Sequence, residues 1–128
     1  MAYERNQPCN FIAKADEDLS GSQFYLVEIT GDNQVGLTDT TDAPAAGVIQ
    51  NKPKSGYHAT VCPLGVTKII VGSGGLTAGD VVSAADSGFC CKVTSGHRAI
   101  GYCIDGAGSG YIATAFINMA NAIQCNSW

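Results

Sequence analysis

Glycine interrupts this chain so often that no stretch between two glycines suits a long helix, and the intervening runs are rich in β-branched residues. There are 16 glycines in 128 residues, and runs such as Val66 to Val71 lie between them. Val and Ile favour a pleated, half-buried backbone, while Gly, Asn and Asp supply turns, so this cadence predicts many short strands. Phe24 to Ile29 reads as a strand with Tyr25, Val27 and Ile29 on one face, Gly31-Asp32-Asn33 as a turn, and Gln34 to Leu37 as the returning strand. Further strands are expected at Gly47 to Gln50, at Tyr57 to Cys62 with Tyr57, Ala59 and Val61 on one face, and at Val66 to Val71. A hairpin of Val81 to Ala84 and Phe89 to Val93 turns at Asp86-Ser87-Gly88, and Ala99 to Ile104 and Tyr111 to Ile117 complete the set. Thr38 to Pro44, Lys52 to Gly56, Pro63-Leu64-Gly65, Gly72 to Gly75 and Asp105 to Gly110 are the breaks between them. About eight to ten short strands at this spacing predict an all-β fold, a small single-domain β-barrel or β-clip-like sandwich.

The ends look different. Residues 1–20 carry six charges and a proline with little strand character, and read as an N-terminal arm or irregular lead-in. Residues 21–117 form the expected β-rich core domain, and 118–128 a C-terminal tail in which Asn118 to Gln124 is the one short helical candidate. A chain of this length fits one domain and can bury roughly two-thirds of its unfolded surface. No repeat or linker divides it.

Charge narrows the function classes. Only 14% of residues are charged against 45% hydrophobic, and the net charge is -4. A surface this sparse in charge suits burial against a partner or against copies of itself. Lys52 and Lys54, split by Pro53, are the nearest thing to a basic run. Nucleic-acid binding needs a basic stripe that neutralises several phosphates, so DNA and RNA are not expected partners. No apolar run is long enough for a bilayer, and no membrane partner is expected. Met1 to Pro8 lack the apolar stretch of a secretory leader, which predicts synthesis in the cytosol. In that compartment Cys9, Cys62, Cys90, Cys91, Cys103 and Cys125 are expected to be mostly free, largely buried thiols, with the adjacent Cys90 and Cys91 on opposite faces of a strand.

Chemistry-bearing motifs are weak. Gly72-Ser73-Gly74-Gly75 leads to the strand-like Val81-Val82, with no helix N-terminus to face a phosphate and no Gly-Lys-Ser/Thr ending. His58, His97 and the cysteines lack the paired spacing of zinc ligands. Asp80, Asp86 and Asp105 fall beside glycines, where Asp stabilises turns. No catalytic, cofactor-binding or metal residue is assigned, no cofactor is expected, and the chain is read as a non-enzyme.

The order of turn formulas carries a resemblance. Gly47-Val48-Ile49-Gln50, Gly65 to Val71, Leu76-Thr77-Ala78-Gly79-Asp80-Val81-Val82, Asp86-Ser87-Gly88, Arg98-Ala99-Ile100-Gly101 and Asp105 to Ile112 follow one another as in the small capsid cement, or head-decoration, proteins of tailed bacteriophages. The chain resembles that family over roughly residues 45 to 117. The resemblance implies a viral structural protein on the outer capsid surface of a virion, clamping neighbouring subunits of the major capsid protein of the same phage. It also implies self-association, with a homotrimer favoured. The cysteines, the tail after Asn118 and the longer front end depart from the family pattern. Trp128 is expected either to anchor on the shell or to cover an open end of the barrel. Two other readings stand beside it. Tyr57, Tyr102, Tyr111 and Trp128 could serve a virion-displayed carbohydrate- or receptor-binding β module. Leu76 to Asp80 also fits a β-clip accessory domain of an enzyme.

Overall fold

The computed structural model describes residues 9–119, and its strands follow the glycine spacing. They are β1 (Phe11–Ala15), β2 (Leu26–Gly31), β3 (Gln34–Leu37), β4 (Ala45–Ile49), β5 (His58–Cys62), β6 (Leu64–Ile70), β7 (Val81–Ala84), β8 (Cys90–Lys92), β9 (Gly101–Asp105) and β10 (Ile112–Asn118). A 3₁₀ turn, Asp86–Gly88, joins β7 to β8, and there is no α-helix among the described residues. The all-β expectation holds, as a barrel with a second sheet beside it. Strands β1-β3-β2-β4-β5 close a five-stranded barrel, and β6-β10-β9-β7-β8 form a five-stranded sheet.

Two cores result, and two strands serve both. Val27 and Ile49 point into the barrel with Ala13, Ala15, Leu19, Val35, Ala59 and Val61. Their chain neighbours Leu26 and Val48 point the other way, into a larger core with Ile69, Val82, Ile100, Ala115 and Ile117 of the second half. Consecutive residues leave opposite faces of a strand, so β2 and β4 form a wall buried on both sides.

A polar seam fastens the loop after β3 to the second sheet. Thr38 is fully buried; its hydroxyl donates to the Ala85 carbonyl at 2.7 Å and accepts from the Gly88 amide at 3.0 Å. Four residues on, the Asp42 amide donates to the Ala84 carbonyl at 2.9 Å. The Asp42 carboxylate accepts the Arg98 amide at 2.7 Å, and the Arg98 guanidinium donates to the Asp42 carbonyl at 2.7 Å.

The structure corrects several local expectations. The irregular lead-in over 1–20 does not hold where it is described. Phe11–Ala15 is barrel strand β1, antiparallel to β5 and parallel to β3, and Leu19 is fully buried. Its inward residues are the small Ala13 and Ala15, flanked by Lys14, Asp16 and Glu17, so the local pattern carried almost no strand signal. Tyr25, Val27 and Ile29 do not share one environment. A register shift between Val27 and Glu28 follows the buried Val27, and Ile29 is 57% exposed. The break at Pro63-Leu64-Gly65 shrinks to Pro63, because β6 begins at Leu64. Asn118 closes β10 instead of opening a helix, and residues 120–124 of that helical candidate lie outside the described residues.

Two substitutions test this packing. At Gly101 an added Cβ would fall on the Phe116 carbonyl of the paired strand β10, so β9 and β10 would have to separate. Gly101→Ala is expected to cost about 2–4 kcal/mol in urea unfolding, whereas Gly21→Ala, with nothing near its Cβ, should stay within about 0.5 kcal/mol of the parent. Thr38→Val keeps the shape but strips the Ala85 carbonyl and the Gly88 amide of their side-chain partner. A loss of about 1–3 kcal/mol is expected by the same measurement.

Candidate interaction surface

The outward face of the second sheet is apolar where a solvated sheet would be polar. Register places Val66 of β6 opposite Phe116 of β10, Phe116 opposite Tyr102 of β9, and Tyr102 opposite Val81 of β7. Directly paired residues share a face, so these four form one row across four strands. Val66 is 64% exposed and Tyr102 50%, and the Tyr102 and Phe116 rings lie 5.4 Å apart at 31°. Ile112 of β10, Leu64 of β6 and Ile104 of β9 are exposed as well. Chemically, such an apolar row can bury against another protein surface.

The residues singled out by their chemistry are dispersed. His58 lies exposed on barrel strand β5, while His97 sits in the turn before β9 with Nδ1 2.8 Å from the Thr94 hydroxyl. Among the described residues no group of three His, Cys, Asp or Glu side chains could hold a metal ion. Tyr57 and Tyr111 are strongly exposed, but Tyr57 precedes barrel strand β5 and Tyr111 precedes β10, so they share no sheet face with Tyr102. Trp128 and Cys125 lie outside the described residues.

Gly72 to Gly75 border a groove of about 800 Å³ with Asp80, Asp86, Phe89 and Lys92. Its main groups are already engaged. Asp80 accepts the Thr77 amide at 2.9 Å, the turn role read from its place beside Gly79, and its other oxygen is 3.8 Å from Lys92 Nζ. The Phe89 ring packs on Tyr25 with centroids 5.5 Å apart. The five described cysteines are free, with Cys62, Cys90 and Cys103 buried, Cys91 half-buried and Cys9 exposed. Burial pushes the thiols of Cys62, Cys90 and Cys103 up, which keeps them protonated and poor nucleophiles.

On the barrel, Asp16, Glu17, Glu28 and Asp39 line a second, acidic groove. Burial, and then the charges of Asp39 and Asp16, hold the Glu28 carboxyl above the ordinary value of 4.5. A raised carboxyl is ionised less readily in the folded chain than in the unfolded one. Its cost is therefore absent below pH 4.5 and grows as pH rises past that value. Glu28→Gln is expected to stabilise the protein at pH 7 by up to about 1 kcal/mol after solvent screening, and to change little at pH 4, in paired urea unfolding curves.

Comparison with known proteins gives a fold relationship. No family model matches the sequence, and no curated protein matches it. Among solved structures, the chain is similar to the head fiber gp8.5 N base in bacteriophage phi29, with a TM-score of 0.67 at 19% identity. The likeness covers 86% of this chain and 93% of that one, so the barrel and the second sheet together make up the shared fold.

Proposed function

We propose that this chain is a structural protein of a tailed-phage virion that sits on the outer surface of the head and stabilises it. The observation that carries the reading is the fold shared, nearly end to end, with a phage head fiber base. The order of turn formulas from Gly47 to Ile112, which resembles the capsid cement proteins, supports it independently. In the finer form of the proposal the protein clamps neighbouring subunits of the major capsid protein, and its copies associate, as homotrimers on threefold sites of the shell. Binding the assembled shell and not the separated subunits stabilises the shell by mass action, and contact with several subunits at once lengthens residence. Such a role needs interfaces, not catalytic groups, and the exposed apolar face is a surface of that kind.

A second reading is favoured by the neighbour's own description: the chain would be the base of a projecting head fibre instead of a flat cement. Imaging of purified particles separates the two, as a low knob or as the foot of a fibre.

Mass spectrometry of purified particles is expected to find the protein at on the order of tens to hundreds of copies, set by the symmetry of its sites. Particles lacking it are expected to release DNA at a lower temperature. Detection only in infected-cell lysate, never in particles, would overturn the proposal.

A further inference from the structure

We infer that the outward face of the second sheet is the surface through which copies of this chain pack on one another; this rests on the reading that several copies sit together on a shell.

The apolar row Val66–Phe116–Tyr102–Val81 crosses four strands, and its neighbours Leu64 and Ile112 are also exposed. A sheet with one face on a core normally alternates apolar inward and polar outward residues. Here β10 carries apolar residues on both faces: Ile117, Ala115 and Ala113 face inward, while Phe116 and Ile112 face outward. The inward set accounts for the fold. Among the described residues nothing covers Val66, Tyr102, Val81 or Ile112, and contiguous exposed apolar area of this kind marks a protein contact.

The next row identifies the occupant. Lys68 of β6 pairs with Thr114 of β10, and Thr114 pairs with Asp105 of β9. The face therefore carries a cation on β6 and an anion on β9, one strand to either side of β10. Neither residue belongs to an ion pair among the described residues; the Lys68 ammonium only lies 5.5 Å from the centre of the Phe24 ring. A second copy that turns its β9 side toward the β6 side of the first sets its Asp105 beside Lys68. The same movement lays Tyr102 against Val66. The surface complements itself in charge and in apolar content, so a second copy of this chain satisfies it without any other partner.

Sedimentation velocity of the full chain, from micromolar to millimolar, tests this. The parent is expected to associate reversibly. Val66→Asp places a charge on the apolar row, against Tyr102 of the second copy, and should weaken association at least about tenfold, with an unchanged far-ultraviolet spectrum because Val66 lies outside both cores. Lys68→Asp and Asp105→Lys should each weaken it about tenfold by setting like charges together, and the double exchange should return it to within about threefold of the parent. A parent that stays monomeric throughout, association indifferent to Val66→Asp, or a double exchange no better than the single ones would overturn the inference. Occupancy of each variant on purified particles is read separately. If the parent is monomeric yet Val66→Asp no longer binds particles, the face meets the shell protein instead, and the inference fails while the virion role stands. If the parent associates as expected but never binds particles, the virion role fails alone.

Discussion

Two pairs of neighbouring apolar residues, Leu26-Val27 on β2 and Val48-Ile49 on β4, tie the rest of the structure together. Their side chains leave opposite faces of the same two strands, so each strand has to be covered on both sides. The barrel closes over Val27 and Ile49, and the second sheet covers Leu26 and Val48. Burying one such side chain contributes about 1.5–3 kcal/mol. Pulling the halves apart would expose Leu26 and Val48 along with the inward residues of β6 and β10. The two halves therefore share one wall, and the larger core exists only where the second sheet covers Leu26 and Val48.

Close backbone approach and buried polar pairing finish what apolar burial begins. Gly47 lies against Val61 and the Cys62 carbonyl of β5, where a Cβ would come within 2.5 Å of Val61 Cγ1. At the seam, Thr38 and Asp42 pair with the Ala85 carbonyl and the Gly88 and Arg98 amides beside the second sheet. All of these restraints point inward. Val66, Tyr102 and Val81 belong to neither core, so the outward face is free to be shaped by a partner without cost to folding.

Much of the fold was legible in the chain. β3 spans the residues read as a returning strand, and the β7–β8 hairpin turns at Asp86-Ser87-Gly88 as its glycine suggested, because these elements are made by contacts close in sequence. β1 was hidden. Its partners β3 and β5 come from about 20 and 45 residues later, and alanines carry the inward positions, so only closure of the barrel makes it a strand. The exposed apolar face was legible only in part. Tyr102 was noticed as an aromatic, but nothing local says that Val66, Phe116, Tyr102 and Val81 stand in one row.

The sequence by itself determined that this chain is all-β and divided into short strands. It also set the sparse, net-acidic charge, on which alone the expectation of no nucleic-acid partner rests. Those properties follow from residue type and spacing within a few positions. Only the tertiary structure decided which strands pair, and with that which apolar residues are inside. Val66 and Ile69 look alike in sequence, yet Ile69 is fully buried and Val66 is 64% exposed. The reason is the two-residue period of a strand: the pattern tells that the faces differ, while the fold chooses which face meets the core and leaves the other exposed.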